Sequence, residues 1–291
     1  MWIPFVLISA ALLAFYDLFK KQSVHNNAVM PVLYLGTFFG TLFFSLYLLA
    51  IGKLGFAFFV TQQIFWMIFL KSSIIAVSWV FAYYAIRELP FSIAAPLRAS
   101  VPFWTLLGAM LIYGEIPSWI QTIGIGAVLA GYFLFSLAGK LEGIRFERHW
   151  GVFFAFAGTL LGACSALYDK FLLQRHAIDP LIVQFWFQAD LVLLFTGIIL
   201  VQRVLKMQRT PFQWRWSIPA VGLFLVAADW FYFTAMSEPG TPISIVSMIR
   251  RTNVIVSFGL GTLFFREQNI PRKAFALAVL ILGVAILCYF R

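Results

Sequence analysis

Charged residues are scarce in this chain of 291 residues: Asp, Glu, Lys and Arg together make up 11% of it, whereas 62% is hydrophobic. Soluble domains carry about 25% charged and about 45–50% apolar residues. The composition therefore excludes an ordinary soluble domain and indicates a chain that lies mostly in lipid. Cysteine is also rare. Cys164 and Cys288 fall within apolar runs and belong to no CxxC or Cys/His pattern, so they give no support for a metal site.

Familiar catalytic motifs are missing as well. The sequence contains no HExxH, GxSxG or GxxxxGK[ST], and its three histidines lie in loops or at the ends of apolar runs. We therefore predict no cofactor, no metal and no enzymatic activity, although membrane transferases can use isolated aspartates. The formal net charge of +10 does not indicate nucleic acid binding, because no long soluble segment offers a contiguous basic face.

Long apolar runs are what the chain has in abundance. A helix needs roughly 20 apolar residues to cross the hydrocarbon core of a bilayer. Ten runs approach that length, which predicts ten transmembrane helices. They cover residues 2–19, 31–51, 64–86, 91–113, 117–138, 151–173, 181–202, 217–236, 241–265 and 271–290.

Basic residues between these runs fall unequally on the two predicted sides of the membrane. The smaller group consists of Lys53, Lys71, Lys170, Arg175 and Arg291, and most other Lys and Arg residues follow odd-numbered runs. Because basic loops stay in the cytoplasm, this bias predicts that both termini lie outside.

The two halves of the sequence resemble each other at an offset of 152 residues. This shift aligns "FYDLFKKQ" (15–22) with "LYDKFLLQ" (167–174), and further downstream it pairs Pro90 with Pro242, Ser92 with Ser244, Arg98 with Arg250, Glu115 with Glu267 and Gly131 with Gly283. Because five is an odd number of spans, the second half would enter the membrane from the opposite side and have inverted topology. We expect an all-α polytopic membrane protein of two inverted-topology five-helix repeats, residues 1–138 and 151–291, joined by a polar linker, 139–150.

One repeated segment, "ELPFSIAAPLRASVPFWTLLGAMLIYGEIPSWIQTIGIGAVLAGYFLF" (88–135), resembles the signature of the ten-helix drug/metabolite transporter superfamily, EamA-like branch. Residues 242–287 are similar, with Arg266 in place of the Gly of "GE" and Val254 in place of the second Pro. The resemblance implies a multi-pass protein of the plasma (bacterial inner) membrane that moves a small molecule. It also implies cytoplasmic termini, contrary to the charge bias.

Four charged residues inside the runs form two pairs related by the repeat. Asp17 and Arg98 lie towards one face of the membrane, and Asp169 and Arg250 lie towards the other. We predict two Asp/Arg gates that open in turn. Local interfacial ion pairs of the aspartates and structural pairing of the arginines are the alternatives. The repeated glutamates Glu115 and Glu267 occupy equivalent helix ends, where we expect solvated caps, with conformational contacts as the alternative.

Three charges have no counterpart in the first half: Asp190, Asp229 and Arg251. Successive helix positions point about 100° apart, so one of Arg250 and Arg251 can neutralise an aspartate while the other binds an anionic group. This favours an anionic or zwitterionic metabolite. An aspartate in poorly hydrated surroundings can also hold a proton, which makes Asp190 or Asp229 a candidate carrier of a coupling H+, with structural pairing as the alternative.

Aromatic residues are candidates to line a central cavity, although packing or lipid contact is an alternative for each. They are Tyr16, Trp79, Tyr83, Tyr84, Trp104, Tyr168, Trp186, Trp230 and Tyr232. Taken together, the sequence predicts a secondary transporter of a small polar metabolite that works by alternating access. A flippase of lipid head groups and an intramembrane enzyme remain the alternatives.

Overall fold

The computed structural model describes residues 2–88, 100–137, 150–205, 210–253, 255–256 and 270–289. Within these ranges the backbone forms helices and turns and no strand. The helices are α1 (Trp2–Val24), α2 (Val29–Ala50), the short α3 (Leu54–Phe58), α4 (Gln62–Glu88), α5 (Val101–Tyr113), α6 (Trp119–Leu137), α7 (Trp150–Lys170), α8 (Pro180–Val204), α9 (Ser217–Ser237), α10 (Ile243–Arg250) and α11 (Ile270–Tyr289).

Six helices in the described part of the chain are long and apolar enough to cross a membrane: α1, α2, α4, α7 with its continuation to Arg175, α8 and α9. Shorter apolar helices cover Val101–Tyr113, Trp119–Gly131 and Ala274–Tyr289. The predicted run 241–265 begins as α10, and most of its remainder lies outside the described residues. The all-helical class is confirmed, and the count of ten spans stays a prediction.

Helix α7 does not stop at Lys170 but widens into a π-helical turn, Phe171–Arg175. The turn packs against α9, where the Gln174 amide donates a hydrogen bond to the Met236 carbonyl at 3.0 Å. The His176 ring follows at 4.5 Å from that of Phe171. Turns of this kind are rare and occur frequently at functional sites, and this one follows directly after the predicted site residue Asp169.

The helices form two compact units. The first comprises Met1–Ala76 and Asp169–Gly240. In it α1 lies on α9, with the Ser9 hydroxyl donating to the Ala228 carbonyl at 2.7 Å. Helices α2 and α9 approach so closely that a Cβ on Gly222 would lie 2.6 Å from the backbone nitrogen of Gly40. Small residues permit such backbone contact between helices in lipid, where apolar burial gives no driving force for association.

The second unit comprises Val77–Tyr168 and Thr241–Arg291. Helices α4 and α7 are joined here by the Ser78 hydroxyl, which donates to the Gly158 carbonyl at 2.7 Å. Helix α6 packs on α11 through backbone contacts at Gly131 and Gly283. Each unit thus takes helices from both halves of the sequence. The predicted repeats, with boundaries at 138 and 151, were defined by sequence similarity and differ from these units. They stay a prediction.

Candidate functional site

A charged cluster lies inside the first unit, and its centre is a lysine. Lys71 is in the middle of α4 and only 2% exposed. Its Nζ lies 3.2 Å from Oδ1 of Asp169, 3.2 Å from the ring centroid of Phe187 and 4.8 Å from that of Phe233. Counting Lys71 with the smaller group of basic residues at one side of the membrane was therefore wrong. An ammonium group buried in apolar surroundings needs a counter-ion, and Asp169 supplies it.

The two carboxylate oxygens of Asp169 have different partners, an ion pair on one and a hydrogen bond on the other. Lys71 approaches Oδ1, and the Tyr232 hydroxyl of α9 donates to Oδ2 at 3.0 Å. The aspartate is itself 5% exposed, at the last turn of α7 before the π-helical turn. Charge-assisted hydrogen bonds of this kind favour the ionised carboxylate. Lys71 and Asp169 thus form a buried, electrically balanced pair.

A second carboxyl group lies beside this pair. Asp190 of α8 is 2% exposed, and its Oδ2 lies 3.2 Å from the hydroxyl oxygen of Ser72. The same hydroxyl lies 2.9 Å from the carbonyl oxygen of Ile68, one turn earlier in α4. Lys71, the neighbour of Ser72 in sequence, also interacts electrostatically with Asp190. One ammonium group therefore stands between two buried carboxyl groups.

Further polar side chains are buried in the same unit. Asp229 of α9 is 6% exposed, one turn before Phe233. Gln184 and Gln188 of α8 are fully buried. Among the described residues, neither Oε1 of Gln184 nor either polar atom of the Gln188 amide has a hydrogen-bond partner. Buried amides are normally satisfied by protein or water, so these atoms are suited to bind water or a polar solute.

The second unit holds the two arginines at the end of α10. Arg250 is its last residue and Arg251 follows, and both are half-buried. The start of the same helix is bound by Glu115, whose carboxylate accepts hydrogen bonds from the Ile243 nitrogen at 3.0 Å, the Ser244 nitrogen at 3.1 Å and the Ser244 hydroxyl at 2.5 Å. The prediction of a solvated cap was thus wrong for Glu115, which caps another helix. Glu267 lies outside the described residues.

Both the sequence and the fold of this chain are similar to those of known proteins. A family model described as the EamA-like transporter family matches residues 1–137. The resemblance drawn from the sequence is confirmed over these residues, and the six long apolar helices of the described part support a multi-pass membrane protein. No curated protein matches the sequence significantly.

The fold of this chain recurs in solved structures, of which 29 chains match significantly. One crystal structure, whose description names no activity, superposes with a TM-score of 0.77 at 15% sequence identity. The superposition covers 97% of this chain and 96% of the other. At this identity the likeness shows the fold alone, and it extends over both halves of the sequence.

Three of the four residues of the predicted gates lie in the described part of the chain. Asp17 is half-buried on α1, and Arg98 lies outside the described residues. Asp169 is bound by Lys71, a partner that the sequence analysis did not name. The signal for Lys71 was present, because the lysine lies within the apolar run 64–86, where a charge at the membrane centre costs at least ~2.5 kcal/mol.

Several aromatic residues that were predicted to line a cavity form contacts between helices. The Trp186 indole donates to the Ala57 carbonyl at 3.0 Å and packs on Phe65, which ties α8 to α3 and α4. Trp230 packs on Phe44 of α2. Among the remaining candidates, Tyr16 is buried under Lys20, and Trp104 packs on Phe156. Trp79 and Tyr168 are half-buried. The Tyr83 and Tyr84 side chains lie outside the described part. A cavity-lining role stays a prediction for all of them.

Proposed function

We propose that the chain is a secondary transporter that moves a small polar metabolite across the membrane by alternating access. The observation that carries the proposal is the cluster of Lys71, Asp169 and Asp190, buried within membrane-spanning helices of a transporter family. Ionisable groups at this depth are costly, and they typically mark substrate or ion pathways. A purely structural bundle could fill the same positions with apolar residues at no such cost.

The reciprocal contact of α6 with α11 supports the inverted repeat. A Cβ on Gly131 would lie 2.8 Å from the Leu280 nitrogen, and a Cβ on Gly283 would lie 2.7 Å from the Val128 nitrogen. The offset of 152 residues relates Gly131 to Gly283 and also Val128 to Leu280. Each contact is therefore the other with the two halves exchanged, as a two-fold axis between two repeats requires.

The distribution of charge supports a zwitterionic or anionic solute. Arg250 and Arg251 in the second unit offer planar donors that suit carboxylate or phosphate. The first unit buries three aspartates, Asp169, Asp190 and Asp229, which suit a cationic group or a proton.

Ligand binding to the purified protein is the first test. We expect thermal stabilisation by members of a panel of amino acids, dicarboxylates and sugar phosphates, because the arginines favour their acidic groups. The effect should be lost in Arg250→Ala and kept in Arg203→Ala, which removes an exposed arginine at the end of α8. Equal stabilisation in both variants would remove Arg250 from the site.

Uptake into proteoliposomes tests transport itself. A stabilising compound should accumulate in vesicles that contain the protein and not in empty vesicles. Movement of fluorescent lipids with no uptake of any panel compound would favour the flippase, for which the same bundle of helices would serve. Chemical conversion of a lipid without transport would favour an intramembrane enzyme.

A further inference from the structure

We infer that Asp190, hydrogen-bonded to Ser72 beside the Lys71–Asp169 pair, is the group that takes up and releases the proton that drives transport. The inference rests on the proposed function, which leaves open whether any proton is carried and by which residue. It selects Asp190 over Asp229, the other candidate of the sequence analysis, and it gives Lys71 and Ser72 defined parts in the cycle.

The Ser72 hydroxyl lies close to two oxygen acceptors but has few hydrogens to offer them. A serine hydroxyl has one hydrogen to donate. Two oxygens lie within hydrogen-bond distance of it, the Ile68 carbonyl at 2.9 Å and Oδ2 of Asp190 at 3.2 Å. Donation to the carbonyl four residues earlier is the ordinary bond of a serine within a helix. Because Ser72 shares this single hydrogen between the Ile68 carbonyl and Asp190, it gives the carboxyl group only a weak donor.

Asp169 and Asp190 differ in the groups that surround their carboxyl oxygens. Asp169 receives an ammonium group on one oxygen and a tyrosine hydroxyl on the other, both of which stabilise its charge. The positive charge of Lys71 is thereby balanced by one carboxylate. A second ionised carboxylate at 2% exposure would leave a net negative charge in an apolar interior, which is expensive. A proton on Asp190 removes that charge.

The helices packed against α8 supply few other charged groups. Helix α2 and the short α3 contain none, and the part of α4 in the first unit contributes Lys71, whose partner Asp169 lies at the end of α7. Helix α9 contributes Asp229 and the Tyr232 hydroxyl. Of these, Lys71 is one residue from Ser72, so it is the cation best placed to stabilise Asp190 once the proton has left.

The proton step breaks and forms only O–H bonds. The protonated carboxyl group of Asp190 donates to the Ser72 oxygen while Ser72 donates to Ile68. When this region opens to the side of lower proton activity, the proton passes from Asp190 to water. The Ser72 hydroxyl then turns from Ile68 to the new carboxylate, and the ammonium group of Lys71 is shared between Asp169 and Asp190. Uptake of a proton from the other side reverses each change.

Infrared spectroscopy of the purified protein tests this assignment without any substrate. At neutral pH we expect the wild type to show a carbonyl band of a protonated carboxylic acid that shifts in D₂O. The band should disappear in Asp190→Asn and persist in Asp229→Asn, a matched change at a second buried aspartate. Persistence of the band in Asp190→Asn, or its absence from the wild type, would overturn the inference.

Proteoliposomes test the coupling. Asp190→Asn imitates the neutral carboxyl group, so it should fold with wild-type thermal stability. Uptake of a panel compound should lose its dependence on an imposed pH gradient in this variant, while exchange of the labelled for the unlabelled compound continues. Gradient-driven uptake at the wild-type rate would overturn the inference and leave the proposed transport intact. Absence of uptake by the wild type would instead refute the proposed function, and the infrared result would stand on its own.

Discussion

Both units bring helix backbones into contact at glycines, and they differ in what else joins their helices. The first buries ionisable groups and joins α4, α7, α8 and α9 through Lys71, Asp169 and Asp190. The second brings backbones into contact at Gly131 and Gly283 and adds a carboxylate at a helix start. Contacts of small residues are sufficient to associate helices in lipid. The charges of the first unit are therefore more than a bundle requires for stability, and this points to function.

Breaking the buried pair should give the largest effect. Lys71→Met leaves the Asp169 carboxylate without its cation and should lower the free energy of unfolding by about 3–5 kcal/mol. The double variant Lys71→Met/Asp169→Asn removes both charges and should recover much of the loss. Reversible unfolding in mixed detergent micelles measures both. Equal destabilisation of the single and double variants would show that lost packing, not an unpaired charge, is responsible.

Overfilling the backbone contact of the second unit should cost less. Gly131→Val forces a side chain against the Leu280 backbone and should destabilise by about 1–3 kcal/mol. The matched control is Gly126→Ala on the same helix, where nothing lies within 4 Å of the added Cβ. The control should be neutral or slightly stabilising, because alanine favours a helix over glycine. Thermal denaturation of both variants in one detergent decides the matter.

Removing one donor from the charged cluster should have a moderate effect. Tyr232→Phe deletes the hydroxyl that binds Asp169, and hydrogen bonds between membrane helices are worth up to about 1.7 kcal/mol. Tyr47→Phe, an exposed tyrosine on α2, is the control and should change nothing. If the two variants unfold alike, the contact of Tyr232 with Asp169 contributes nothing measurable.

The helix cap of the second unit should give the smallest effect. Glu115→Gln keeps the size of the side chain but removes its charge from the start of α10, which should cost about 0.3–1 kcal/mol. Glu238→Gln, a half-buried glutamate just after α9, is the control at a position outside this contact. Hydrogen exchange of the Ile243 and Ser244 amides should rise in Glu115→Gln alone, and unchanged exchange would contradict the assigned cap.

Local sequence features were sufficient to predict the helical class and the family, because apolar runs and repeated motifs report on them directly. Asp169 and Asp190 were also found, since a carboxylate inside an apolar run is conspicuous. The partners were not found. Lys71 meets Asp169 from 98 residues away in sequence, and Glu115 meets Ser244 from 129. Contacts between residues so far apart in sequence leave no local pattern from which the partner could be predicted.

The meeting of Gly131 with Leu280 and of Gly283 with Val128 uses one surface twice, as the interface of a symmetric homodimer does. A shorter ancestral protein with a single ridge of this kind could have paired with its own copy, provided that the two copies entered the membrane in opposite senses. Fusion of their genes would then have fixed that mixed insertion permanently and released each copy to diverge. An aspartate present in only one half, such as Asp190, is the kind of novelty that such freedom allows.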